Sequence, residues 1–175
     1  VQELEGRIGP NGSDDVAAYQ GLAAVYAEMR RWEPALEVLD RALKKFENHP
    51  GLLFQKAATL EKNGQYPASE AVFQKLLEVD PENANALNYL GYMLIDYDLD
   101  LARGMALVQK AMVYEPKNPA FLDSLGWGHF KKKEYKKALE YLEQAVRVIP
   151  DDPTLLEHLG AVHRALGRPH EARDY

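Results

Sequence analysis

Residues 122–130 read LDSLGWGHF, and the frame L-x-x-L-G within them occurs at two other places in the chain. Residues 87–95 read LNYLGYMLI, and residues 156–164 read LEHLGAVHR. The residue that follows the glycine is Trp127 in the first copy, Tyr92 in the second and Ala161 in the third. A constant frame around a variable position indicates an internal repeat. The side chain at the variable position either packs in the core or contacts a partner. The length and pattern of the repeat indicate the fold.

Proline positions give the length of the repeating unit. Successive units begin at Pro50, Ala84, Pro119 and Pro153, so the spacings are 34, 35 and 34 residues. Proline suits the first turn of a helix because the N–H that it lacks would have no partner there. Each unit contains two runs of apolar residues at helical spacing, joined by a short polar or glycine-bearing turn. Each unit is therefore predicted to be a helix–turn–helix that must stack on its neighbours to bury its apolar face.

This pattern resembles the tetratricopeptide repeat. The unit that starts at Pro119 carries the family's marks at repeat positions 4, 7, 8, 20, 24, 27 and 32, namely Leu122, Leu125, Gly126, Ala138, Leu142, Ala145 and Pro150. The resemblance implies an all-α fold, a right-handed superhelical solenoid of helix–turn–helix repeats. We predict one array over residues 1–175, with repeats at 16–49, 50–83, 84–118, 119–152 and 153–175.

Some positions depart from the family pattern. In the repeat 50–83, Lys56, Ser69 and Leu76 replace the expected residues, and the repeat from Ala84 has one extra residue, which we place in the turn IDYDLDLARG. Residues 1–15 are expected to be the end of a preceding repeat and a linker, which makes the chain a fragment of a longer array. A natural terminus with a short leading helix is the alternative.

Composition narrows the classes of function. The net charge of −6 argues against nucleic-acid binding, which needs a basic face to neutralise phosphates. The absence of cysteine excludes disulfides and thiolate metal sites. No apolar stretch approaches the roughly 20 residues of a membrane span, so no direct membrane insertion by this chain is expected. The basic run KKKEYKK at 131–137 is expected to be solvated.

The chain shows no motif for catalysis. His129 and His163 occupy repeat position 11, where a packed residue is expected, and His158 and His163 point in different directions from one helix, so they cannot readily share a metal. Phosphate-binding glycine motifs and a G-x-S-x-G elbow are absent. We therefore expect no catalytic residue, no metal, no cofactor and no enzymatic activity in this chain.

Helical rotation separates two faces of the first helix in each repeat. Positions 4, 7, 8 and 11 form one stripe, whereas positions 2, 5, 9, 12 and 13 lie roughly 80° to 180° away. In the tetratricopeptide-repeat family the second face lines a concave groove. The predicted partner-binding groove therefore comprises Phe54, Asn88, Tyr92, Ile95, Asp96, Asp123, Trp127, Phe130, Lys131, Glu157 and Arg164. The alternative is that neighbouring helices cover the aromatic rings.

These observations favour a non-enzymatic scaffold or adaptor that binds a protein or peptide in this groove. Two alternatives stay open: a structural module that assembles as a homo-oligomer, and the substrate-recruiting part of an enzyme whose catalytic domain lies elsewhere. Residues 85–112 and 118–146 are similar to bacterial multi-repeat members of the family, several of which are lipoproteins facing the periplasm. That similarity favours a periplasmic location slightly over a cytoplasmic one.

Overall fold

A computed structural model describes residues 15–168, 170 and 172, and all regular secondary structure in those residues is helical. The all-α prediction is confirmed. The expected end of a preceding repeat and linker, residues 1–15, lies outside the described residues except for Asp15. The chain divides into two compact units between Pro81 and Glu82.

Each of these two compact units contains two or more repeats, and its helices are joined by short turns. The first unit contains α1 (Val16–Glu28), α2 (Trp32–Lys45), α3 (Pro50–Lys62) and α4 (Tyr66–Val79). The second unit contains α5 (Ala84–Asp96), α6 (Leu101–Tyr114), α7 (Pro119–Lys131), α8 (Tyr135–Val146) and α9 (Pro153–Ala165). The odd-numbered helices are the first helices of the predicted repeats, and α2, α4, α6 and α8 are the second helices.

Side-chain caps define where many of these helices begin. A carboxylate or amide oxygen accepts a hydrogen bond from a backbone N–H of the first turn at α1, α5, α6, α7 and α9, and the capping residues are Asp15, Asn83, Asp100, Asn118 and Asp152. Such caps satisfy donors that have no partner within the helix. Proline stands at the first helical position of α3, α7 and α9, as the sequence predicts.

A left-handed residue follows the first helix of every repeat. Arg30, Gly64, Asp98, Lys133 and Gly167 have φ between 54° and 73°. Three residues separate the two helices in most repeats, but four residues (97–100) separate α5 from α6. The extra residue of the third repeat, which begins at Ala84, therefore lies in the turn where we placed it from the sequence.

Glycine lets the two helices of the third repeat cross closely. A Cβ added at Gly91 of α5 would lie 2.7 Å from the carbonyl oxygen of Gly104 in α6 and 2.7 Å from Val108 Cγ2. A Cβ at Gly104 would in turn lie 2.7 Å from the Gly91 oxygen. Real Cβ atoms do not approach backbone this closely, so the frame L-x-x-L-G needs its glycine here for packing.

Two of the three departures in the second repeat have local compensations. Ser69 is fully buried where an alanine is usual, and its hydroxyl donates a hydrogen bond of 2.8 Å to the Ala57 carbonyl. Lys56 replaces an apolar residue and forms an ion pair of 2.6 Å with Asp40 of α2. A buried hydroxyl with a partner and a half-exposed ion pair are compatible with the fold.

Candidate functional site

An open pocket of about 280 Å³ lies in the second unit, on the face made by the first helices of three successive repeats. Helices α5, α7 and α9 supply its walls together with the residues that lead into α9. The lining residues are Asn88, Tyr89, Tyr92, Ala120, Asp123, Ser124, Ile149, Asp152, Thr154 and Leu155. We call it the first-helix pocket. Three residues of the predicted groove, Asn88, Tyr92 and Asp123, lie together in it.

Asn88 is the residue of this pocket with an unmet hydrogen-bonding requirement. Its Oδ1 is buried and has no hydrogen-bond partner among the residues that the structure describes. A buried amide oxygen without a donor costs roughly 1–3 kcal/mol. The oxygen has no access to solvent in the free chain, so a bound segment's backbone N–H would remove that cost only by drawing the Asn88 amide towards the pocket. Asn88 is therefore a pocket-lining residue whose amide oxygen would gain a partner from a bound peptide group.

A carboxylate–imidazole pair forms another part of the pocket wall. Asp123 Oδ1 lies 2.8 Å from Nδ1 of His158, and the two side chains are only 13% and 6% exposed. The contact joins α7 to α9. Because Asp123 is held by His158, its carboxylate is fixed in place rather than free to follow a ligand.

Trp127 lies next to this pair, and its ring is half-buried. His158 stacks on the indole with ring centres 4.0 Å apart, and Phe130 stacks on it at 4.6 Å. Two parallel rings at these distances would overlap on one face of the indole, so they cover opposite faces. The indole N–H donates a hydrogen bond of 2.8 Å to Asp96 of α5. Trp127 thus links α5, α7 and α9.

Lys131 completes this arrangement at the end of α7. Its ammonium group donates to the Asp96 carbonyl at 3.0 Å and to the Asp98 carboxylate at 3.0 Å. The same group lies 5.6 Å from the centre of the Trp127 ring. These contacts fix the lysine against the turn 97–100, where it holds two repeats together.

The groove prediction needs a correction at Ile95. This side chain has no solvent exposure and belongs to a core cluster with Met105, Val108 and Leu125. Ile95 is at position 12 of its repeat and faces the space left by two glycines. Added Cβ atoms at Gly104 and Gly128 would lie 2.8 Å and 3.3 Å from Ile95 carbons. Ile95 fills that space, so it cannot contact a partner.

The remaining predicted groove residues lie apart from the pocket wall. Phe54 belongs to the first unit, where it is half-buried and meets Phe73 edge to face at 5.6 Å. Glu157 and Arg164 are exposed on α9. The structure thus brings together Asn88, Tyr92 and Asp123 in the pocket, and Asp96, Trp127, Phe130 and Lys131 beside it.

His158 is the residue that sequence reasoning missed. It pairs with Asp123, stacks on Trp127 and lies 6.3 Å from the Tyr92 ring. A repeat-to-repeat signal exists, because Asp123 is position 5 of one repeat and His158 is position 6 of the next. Gln20 and Gln55 occupy the same two positions in the first unit, and the Gln55 amide donates to the Gln20 carbonyl at 2.9 Å. Positions 5 and 6 of successive repeats are thus neighbours in both units, although in the first unit the acceptor is the Gln20 backbone and not its side chain.

The described residues offer little for metal chemistry. Among residues 15–168, 170 and 172 there is no group of three or more His, Cys, Asp or Glu side chains that could hold a metal ion. His129 and His163 are buried, as expected for position 11. Within the same part of the chain, no helix is both long enough and apolar enough to cross a bilayer.

Family models described as tetratricopeptide repeat match residues 16–59, 54–96 and 119–152. The chain belongs to the tetratricopeptide-repeat family. The resemblance inferred from the L-x-x-L-G frame is confirmed, and so is an all-α solenoid fold of this family. Tetratricopeptide-repeat proteins are protein-interaction scaffolds and are in general not catalytic.

Relatives and solved structures agree with this assignment. The chain is 33% identical to the TPR repeat-containing protein PA4667 of Pseudomonas aeruginosa over 73% of its own length and 22% of the relative. It is 21% identical to the human mitochondrial import receptor subunit TOM70, over 66% of this chain and 19% of the relative. Residues 41 to the end of MamA from Desulfovibrio magneticus superpose with a TM-score of 0.72 at 20% identity, covering 89% of this chain and 88% of that one. The chain therefore spans about a fifth of the two sequence relatives.

Proposed function

We propose that this chain is a non-enzymatic docking module and that its first-helix pocket binds a segment of another protein. The buried, unpartnered Oδ1 of Asn88 carries the proposal, since Asn88 lines the pocket and a turn of its amide towards the pocket would let a partner's backbone N–H satisfy this oxygen. The half-buried ring of Tyr92 and the side chain of Ile149 supply apolar contact beside it. The net charge of −6 opposes nucleic acid as the occupant.

A preformed pocket favours a flexible partner segment. The wall is rigid before binding, because the Asp123–His158 pair and the Trp127 stack tie α7 to α9. A rigid receptor pays no ordering cost of its own, so the gain from each contact appears more fully as affinity. In this account Trp127, Asp96 and Lys131 hold the wall in shape, and Asn88 and Tyr92 make the contacts.

The relatives support protein binding in general terms. Human TOM70 is a mitochondrial import receptor subunit. We infer that the present chain likewise receives a protein, and that any catalytic activity of a longer protein containing it would come from other segments.

Nuclear magnetic resonance with a selected peptide tests the site. Peptides are first selected from a random displayed library against the whole chain, and the strongest binder is titrated into isotopically labelled protein. We expect the largest shifts at Tyr92, Ser124 and Thr154, which line the pocket. Shifts confined to α1–α4, or broadening that reports self-association, would contradict the proposal, the latter in favour of a homo-oligomer.

A further inference from the structure

The basic run 131–137 creates a second surface, separate from the first-helix pocket. It contains five lysines and one glutamate in a chain whose net charge is −6. Lys132, Lys133, Lys136 and Lys137 are exposed in the turn before α8 and in its first turn. A local excess of positive charge on an acidic chain is a feature that the scaffold fold does not require.

The acidic side chain in this run is already engaged. Glu134 accepts a hydrogen bond from His129 at 2.8 Å and pairs with Lys137 at 3.3 Å and Lys132 at 3.5 Å. The hydrogen bond to His129, followed by that to Lys137, lowers the pKa of Glu134 to about 2. Lys133 and Lys136 have no ionic partner among the described residues. No carboxylate of the described residues neutralises these two lysines.

Lys133 and Lys136 lie at a cleft and not on a flat surface. The cleft measures about 400 Å³ and is lined by Lys133, Glu134, Tyr135, Lys136, Lys137 and Leu166. The half-buried side chains of Tyr135 and Leu166 supply apolar surface inside it. We call this site the basic cleft. It combines an apolar interior with a cationic rim.

A related cleft in the preceding repeat differs from the basic cleft mainly in the number of lysines that line it. A cleft of about 380 Å³ lies beside α6 and is lined by Leu101, Ala102, Met105, Ala106, Gln109 and Lys132. Leu101 and Tyr135 both begin a second helix, and Ala102 and Lys136 follow them. The cleft beside α6 stays open although α8, the second helix of the next repeat, is in place. The cleft beside α6 has one lysine, Lys132, in its lining, whereas the basic cleft has three, Lys133, Lys136 and Lys137.

We propose that the basic cleft binds an acidic segment of a protein, with an apolar side chain against Tyr135 and Leu166 and flanking carboxylates on Lys133 and Lys136. Charge complementarity identifies the occupant as acidic. The concave apolar interior favours a protruding side chain over the plane of a membrane. Four exposed lysines on a chain of net charge −6 are too few to hold a nucleic acid firmly.

Fluorescence polarisation with defined probes tests this proposal. The probe is a labelled peptide of aspartates and glutamates around one central leucine, and the comparison peptide has serine in place of leucine. Protein variants are Lys133→Glu with Lys136→Glu, and a matched control, Lys75→Glu with Lys117→Glu, which makes the same charge change at exposed lysines elsewhere. Single-stranded DNA and phosphatidylglycerol vesicles serve as competing anions.

The expected result is that the leucine peptide binds the wild type and the control variant equally, and the cleft variant at least about tenfold more weakly. The serine peptide should bind several-fold more weakly than the leucine peptide. Equal binding to both charge variants would overturn the proposal, and so would tighter binding of DNA or vesicles than of the leucine peptide. The Asn88 pocket is unchanged in every variant, so failure here leaves the proposed function intact.

Discussion

Replacement of Trp127 by alanine should destabilise the second unit. The substitution removes two stacked contacts, with His158 and Phe130, and the hydrogen bond to Asp96. Truncation of a fully buried aromatic residue to alanine costs about 3–5 kcal/mol. Since the Trp127 ring is half-buried, we expect a loss of about 2–4 kcal/mol in the free energy of unfolding.

The assay is urea unfolding followed by far-ultraviolet circular dichroism. Trp127→Phe keeps an aromatic ring but removes the N–H donor to Asp96, so it should cost about 1–2 kcal/mol. Val113→Ala is the control in the same unit, because Val113 is 74% exposed and its loss should change stability by less than about 0.5 kcal/mol.

A near-zero effect of Trp127→Ala on stability would show that the Trp127 contacts do not hold α5, α7 and α9 together. If that variant also lost peptide binding while remaining as stable as the wild type, Trp127 would be a binding anchor rather than a structural link. The aromatic residue after the glycine would then contact the partner, as the sequence alone suggested.

Other substitutions test the fold and its turns. Gly91→Ala should destabilise the chain by about 1–3 kcal/mol, as judged by the urea midpoint, whereas Gly21→Ala, where an added Cβ meets nothing within 4 Å, should stabilise it by about 0.5–1 kcal/mol. Lys133→Gly should raise the melting temperature, because Lys133 has a φ of 62° and glycine adopts that conformation without strain. The pKa of Glu134 is lowered from 4.5 to about 2, so its contribution to stability is present above pH 4.5 and is lost as the pH falls towards 2. The stability difference between wild type and Glu134→Gln should therefore shrink across that window in acid denaturation, and a constant difference would contradict the assigned hydrogen bond with His129.

Much of the fold follows from local sequence because each repeat uses the same short-range rules. The first helix of each repeat begins at a proline or after a capping residue, and the extra residue of the third repeat appears as a longer turn. The substitution of serine for alanine at Ser69 could be recognised as a departure, but its partner, the Ala57 carbonyl, comes from another helix and becomes visible only in the packed structure.

The site was harder to predict because it depends on contacts between repeats. Helical rotation correctly places Asn88 and Tyr92 away from the core stripe, and both line the pocket. The same rotation fails for Ile95, since Gly104 and Gly128 open a space that only a neighbouring side chain can fill. Rotation also gives no information about His158, which reaches Asp123 from the next repeat.

The peptide affinity of the Asn88→Ala variant tests whether the first-helix pocket binds a partner segment through Asn88. The matched control is Asn85→Ala, because Asn85 is an exposed asparagine of the same helix and does not line the pocket. With the library-selected peptide and isothermal titration calorimetry, we expect Asn88→Ala to weaken binding about 2- to 12-fold, the equivalent of one hydrogen bond, with no loss of stability. Asn85→Ala should bind as the wild type does. Equal affinity of all three proteins would contradict the account, because the buried oxygen of Asn88 would then have no role in binding.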